Sequence, residues 1–184
     1  MKNNIIRIGS AIALLAIITF ASCKKNDPQP NNQNEEYDAI RISFVKLDSN
    51  GVETTDTATV GFNAAGVASP ANLDLESHQE YRMLINLYSN GQNINQEIID
   101  DAAEHKFFFF ANPSTGIGNY QYNDGIGLDG VVEIDGHTTF NLQVLLRHGL
   151  DKTHPDAQAY NSANYQNAGG NNDLNVQFNI TPGH

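Results

Sequence analysis

The chain has a single cysteine, few basic residues and no apolar run long enough to cross a bilayer. One cysteine excludes an intrachain disulfide and any two-cysteine redox motif. The ten Lys and Arg stand against 21 Asp and Glu, a formal charge of −11. Such a field repels phosphate backbones and anionic lipid headgroups, so no nucleic-acid partner is expected. The longest apolar stretch, residues 11–20 (AIALLAIITF), falls short of the ~20 residues a membrane helix needs. No G-x-S-x-G string and no internal repeat occur.

What is present begins at the N-terminus. Lys2 and Arg7 precede the apolar stretch, and small residues Ala21 and Ser22 stand directly before Cys23. Positive, apolar and small segments in that order make a secretory signal. Residues 20–23 (FASC) resemble the lipobox of bacterial lipoproteins, with Phe20 where a smaller aliphatic residue is usual. That resemblance implies that residues 1–22 are removed and that Cys23 is acylated, which also makes it unavailable as a nucleophile. Two or more acyl chains, at ~0.8 kcal/mol per buried CH₂, hold a protein stably on a membrane. Lys2 and Arg7 leave with the signal, so the mature chain carries a formal −13. Residues 24–36 (KKNDPQPNNQNEE) have a tether's composition, and residues 23–38 are assigned to the lipidated cysteine and tether. Residues 39–184 then form one domain, large enough to be stable without disulfides.

Within that domain the dominant period is two. Ile40, Ile42 and Phe44 alternate with polar neighbours. Asp48-Ser49-Asn50-Gly51 supplies turn chemistry, and a Thr- and Val-rich run completes a β-hairpin. Leu73 and Leu75 open an extended piece, and Tyr81, Met83, Ile85 and Leu87 mark a strand. Residues 131–134 and 138–147 read as a second hairpin across Asp135-Gly136. Leu174, Val176, Phe178 and Ile180 mark the last strand. One helix interrupts the pattern over residues 93–105. Asn93 and Gln96 resemble a capping box there, and Ile94, Ile98 and Ala102 form the apolar stripe. Phe107 to Phe110 imply burial on both faces, or an edge covered by that helix. The expected fold is mainly β: an antiparallel, immunoglobulin-like β-sandwich with one short inserted α-helix. Residues 149–173 lack apolar periodicity and are far longer than ordinary connections of about 4–6 residues. His154, Tyr160 and Tyr165 favour a functional loop, whereas the NAGGNND run favours disorder.

Enzyme-like strings fail on context. Ser43-Phe44-Val45-Lys46 matches S-x-x-K but lies in an alternating strand rather than on a helix. Residues 125–130 (GIGLDG) match G-x-G-x-x-G but lead into a strand, where a phosphate cradle needs a helix N-terminus. Asp48, Asn50 and Glu53, and Asp124 with Asp129, offer calcium-type oxygens, yet the same residues are what turns require. A hydrolase built on two distant carboxylates leaves no local trace. Glu104, His105 and His148 make the sharper hypothesis, because imidazole with carboxylate suits zinc or copper. The alternative is that both histidines are hydrogen-bonded residues at the core edge, since no H-x-H or H-E-x-x-H spacing is present. Tyr120, Tyr122, Tyr160 and Tyr165 are candidate stacking platforms for an adhesive or glycan-binding module.

The tether after Cys23, residues 93–110 (NINQEIIDDAAEHKFFFF), 125–136 (GIGLDGVVEIDG) and 142–152 (LQVLLRHGLDK) resemble a group of small secreted lipoproteins of Gram-negative bacteria. Members of that group often accompany outer-membrane TonB-dependent receptors. The resemblance implies a non-enzymatic, membrane-anchored partner of an uptake receptor for a nutrient or metal, and it carries over no catalytic residue.

Overall fold

A computed structural model describes residues 37–183. The signal segment 1–22, Cys23 and the tether as far as residue 36 lie outside the described residues. The strands are β1 (Ala39–Leu47), β2 (Glu53–Asn63), β3 (Ala68–Ser69), β4 (Asn72–Glu76), β5 (Gln79–Ser89) and β6 (Gln92–Asn93). After the helix α1 (Asn95–Asp100) come β7 (Lys106–Asn112), β8 (Ile117–Tyr122), β9 (Asp129–Ile134), β10 (Phe140–His148) and β11 (Asn171–Gly183). One sheet runs β3-β2-β1-β5-β9-β8, with β6 paired on the end of β5. The other runs β4-β11-β10-β7. The fold is mainly β, as the period-two pattern requires, and every pairing is antiparallel except β4 with β11. The chain changes sheet between β4 and β5, so β4 meets β11 without a hairpin to orient it.

The alternating residues face one another between the sheets. Ile40, Ile42, Phe44, Met83, Ile85 and Leu87 from one side meet Phe140, Leu142, Val144, Leu174, Val176 and Phe178 from the other, all buried. Each such side chain contributes roughly 1.5–3 kcal/mol on burial. The first hairpin forms as read: Asp48 Oδ1 accepts from the N–H groups of Asn50 and Val52 at 2.8 and 2.9 Å, closing the turn between β1 and β2.

Two expectations need correction. Residues 131–134 and 138–147 do not pair as a hairpin. β9 lies between β5 and β8 in one sheet, and β10 between β11 and β7 in the other. Both edges of β9 are therefore taken, and alternation, which fixes a strand's face, says nothing about its partner. The helix is shorter than residues 93–105. Ile94 N–H still pairs with Leu87 O in extended fashion, so Asn93 Oδ1 turns back to Asn95 N–H and Gln96 reaches Asp100 instead of closing a capping box. Asp100, Asp101 and Glu104 then place negative charge at the end of the helix where the dipole opposes it. Of the two readings of the phenylalanine run, burial on both faces holds, with cover on the side away from the main core as well.

That cover comes from residues 149–170. They form an Ω-shaped loop with two short 3-10 turns, Pro155–Ala157 and Tyr165–Ala168. Leu150, Ala157 and Ala168 pack on Phe108 and Leu145, which face away from the main core, so β7 and β10 are buried on both faces at this end. The loop's ends meet at Gly149 and Gly170, both at positive φ. Arg147 donates to the carbonyls of Gly169 and Gly170 and to Asn172 Oδ1. Lys152 Nζ donates to the carbonyls of Ala102, His105 and Gly125 at 2.8–3.0 Å. Lys106 Nζ donates to those of Ala157 and Gln158. An ordered loop with no apolar period is thus held by cations on backbone carbonyls, a bonding pattern that leaves no periodic trace in sequence.

Candidate metal centre

β7 and β10 pair with Arg147 opposite Lys106, so the residues just beyond, His148 and His105, stand side by side. Their rings lie 4.5 Å apart between centroids. His105 is fully buried, and His148 is nearly so. A third donor joins them from β11. The β10–β11 register shifts between Leu146↔Leu174 and Arg147↔Asn172, leaving Asp173 as the extra residue of a bulge. A bulge re-aims its side chain, and here it turns Asp173 inward beside Leu174.

Asp173 Oδ2 lies 3.5 Å from His105 Nε2 and 3.5 Å from His148 Nδ1. One donor atom from each of the three residues falls within 4.8 Å of the others. A tetrahedral zinc with bonds of ~2.0–2.1 Å holds its donors about 3.4 Å apart, so two of the three edges already match. His105 Nδ1 stands 3.1 Å from the carbonyl of Asp101. A carbonyl only accepts, so Nδ1 is the donor and Nε2 carries the lone pair, the arrangement a metal-binding histidine needs. The Asp173 side chain is 0% exposed, and neither of its carboxylate oxygens accepts a hydrogen bond among the described residues. A buried carboxylate without hydrogen bonds is costly by several kcal/mol unless a cation compensates it.

Of the residues singled out in the sequence, His105 and His148 are thus brought together. Glu104 stands at the rim, 62% exposed, with Oε2 3.9 Å from His148 Nε2, the nitrogen directed away from Asp173. His154 is elsewhere: its Nδ1 accepts from Asp156 N–H and caps a 3-10 turn. Asp173 escaped sequence reasoning because strict alternation places it on the face opposite Leu174. Tyr37 lies near the centre; burial first, then the charge of Asp173, pushes its hydroxyl above the ordinary tyrosine range.

The remaining motifs resolve into turns and packing. Asp124 accepts from the N–H groups of Ile126, Gly127 and Asp129, so the glycine-rich string is a carboxylate-capped loop. Ser43 bonds Thr59 across β1 and β2, and Lys46 pairs with Glu76. The tyrosines do not share a groove. Tyr120, Tyr122 and Tyr160 cluster with Phe109, whereas Tyr165 packs at a tilt against Phe108 and Phe110 across the sheet. Tyr120 is buried, and Tyr122 donates to Phe107 O at 2.6 Å. Burial above all, with the nearby negative charge of Asp124 adding to it, holds both hydroxyls well above their ordinary value. A folded value raised in this way gives stability that is complete below the unfolded tyrosine pKa of about 10 and lost above it. Denaturant midpoints should therefore hold steady to about pH 9.5 and fall by about pH 11, with tyrosinate absorbance appearing as the protein unfolds. Ionisation of all seven tyrosines at an unchanged midpoint would contradict the buried cluster.

Among the described residues no helix is long and apolar enough to cross a membrane. Compared with protein-family models, curated proteins and solved structures, the chain matches none of them.

Proposed function

We propose that this chain is a lipid-anchored accessory protein of the outer membrane that handles a divalent metal, zinc or copper, beside an uptake receptor. The observation that carries the metal reading is the buried Asp173 carboxylate, set between two imidazoles and accepting no hydrogen bond among the described residues. His105 Nε2, His148 Nδ1 and Asp173 Oδ2 are the ligands. Two nitrogens and one oxygen suit zinc or copper better than the all-oxygen sets of calcium or magnesium. Three protein donors leave a coordination position for water or for a ligand offered from outside. Glu104, exposed beside the outer nitrogen of His148, adds negative charge where an arriving cation first meets the site. The strongly acidic mature chain favours cation approach in the same sense. The anchoring part of the proposal rests on the signal-like segment and FASC at Cys23, and the receptor part on the sequence resemblance.

One preparation tests both parts: the full-length protein purified from its native membrane, without a histidine tag. Mass spectrometry should find Cys23 as an acylated first residue, and elemental analysis should find zinc or copper near one per chain. A first residue beyond Cys23, unmodified, overturns the anchor. Absence of metal in that preparation, together with no uptake when zinc and copper are added back, overturns the metal reading.

A further inference from the structure

The outer face of the larger sheet carries a cleft of about 610 Å³, within the size range of small-molecule sites. The register explains its shape. Ile40, Phe62 and Leu87 point into the core, so Ala39, Arg41, Gly61, Asn63 and Tyr88 point outward. Gly61 stands opposite Arg41, and Ala39 stands between Asn63 and Tyr88. Two small residues thus form a floor, with Tyr88 and Arg41 on one side and the 60% exposed Val67 on the other.

Nothing in the fold requires glycine at position 61. A Cβ there would meet only the carbonyl oxygens of Ile40 and Ser69, both at an ordinary 3.8 Å. The pairing from Ala39↔Asn63 to Val45↔Thr57 runs without a bulge across it. Glycine inside a strand weakens it by roughly 0.5–1 kcal/mol, and where no bulge or bend explains it, it marks a close approach by something else. Arg41 points the same way. Residues 37–183 hold six Lys and Arg, and five are taken by oxygen acceptors: Lys46 by Glu76, Arg82 by Glu53 and Asp129, and Lys106, Arg147 and Lys152 by carbonyls. Among the described residues Arg41 has only the Tyr88 ring, 5.8 Å from its guanidinium carbon. One acidic residue, Asp38, also lines the cleft, and its Oδ2 accepts from the Asn90 N–H at 2.7 Å; Arg41, with no carboxylate paired to it among the described residues, provides charge complementarity to an anion. Asn63 uses its Oδ1 on the turn N–H groups of Ala65 and Val67, which leaves its amide hydrogens for a ligand.

We infer that this cleft binds an acidic sugar, a pyranose carrying a carboxylate. The guanidinium of Arg41 takes the carboxylate in bidentate fashion, the sugar ring lies over the open floor of Gly61 and Ala39 against Tyr88, and the Asn63 amide donates to a hydroxyl. The inference is independent of the metal centre, and the test keeps the two apart by working in chelator.

Calorimetry of the full chain with D-glucuronate, D-glucose and acetate reads it directly. Saturable binding of glucuronate is expected, with glucose and acetate each at least about tenfold weaker, because one lacks the charge and the other the ring. Arg41→Gln should weaken glucuronate about tenfold or more, a loss in the range of one charged hydrogen-bonded contact. Gly61→Val should abolish binding while keeping the melting temperature, since valine suits a strand and its Cβ has room. No glucuronate binding, equal binding of acetate, or full binding by a folded Gly61→Val variant would each overturn the assignment.

Discussion

Asp173→Asn is expected to eliminate zinc and copper binding and to leave the metal-free protein at least as stable as the unsubstituted one. The two halves of that result have one cause. Asparagine keeps the shape of the side chain and removes its charge, and among the described residues neither oxygen of Asp173 gives up a hydrogen bond in the exchange. The apoprotein loses a desolvated charge whose neighbours, the two imidazoles at 3.5 Å and the guanidinium of Arg147, pair with it imperfectly, a burden of several kcal/mol. The metal, in contrast, loses its only anionic ligand, and affinity should fall at least about a hundredfold, or roughly 2.7 kcal/mol. His148→Ala should show a comparable loss of affinity with little change in the fold, since the residue ends β10. Lower pH should weaken binding to the unsubstituted protein, because protons compete for both imidazoles. Calorimetric titration beside denaturant melts separates the alternatives. No metal heat in the unsubstituted protein, with His148→Ala destabilised by roughly 1–3 kcal/mol, would leave the histidines as core-edge residues.

A second substitution acts on the frame rather than the ligands. Gly170→Ala should destabilise the protein by about 4 kcal/mol or more, in the range reserved for a named structural defect. Gly170 has φ +75°, where a side chain is strained, and an added Cβ would sit 2.2 Å from His148 O and 3.0 Å from Gly149 C. Both obstacles are backbone, so no rotamer change relieves them. Gly149→Ala shares the positive φ but meets nothing nearer than Gly170 Cα at 3.7 Å. It should cost only about 1–2 kcal/mol of strain. Paired urea melts give the comparison, and equal midpoints for the two variants would show that the loop ends are not held as described. Because the clash falls on the carbonyl of His148, the Gly170 variant should also bind metal poorly under conditions in which it remains folded.

The contrast between what could and could not be read from sequence follows from the kind of interaction involved. The first hairpin, β5 and β11 were legible because burial on one face writes a period of two into Ile40–Phe44, Tyr81–Leu87 and Leu174–Ile180. The partner of β9 was not, since both the hairpin and the crossover satisfy the same alternation. His105 and His148 stood out through residue type and their places at strand ends. Asp173 did not, because a bulge breaks the alternation on which facing is inferred, and its only local sign is the Asn-Asn-Asp run at the loop's end. Cys23 and its surroundings remain a matter of sequence, outside the described residues. The cleft beside Arg41 was illegible for a further reason: Gly61 and Ala39 matter by what they lack, and a missing side chain carries no pattern.

The three donors of the candidate centre sit on or beside three strands of one sheet: His105 directly before β7, His148 at the end of β10 and Asp173 in the bulge of β11. Residues so far apart in sequence converge only in the assembled sheet, so a bound ion favours the folded chain alone. At a free concentration a hundred times its dissociation constant, it adds about 2.7 kcal/mol. That is roughly a hundredfold fewer unfolded molecules open to cleavage at any moment. Where proteolysis follows the unfolded population, the abundance of this protein becomes a record of metal supply, with starved molecules cleared before loaded ones.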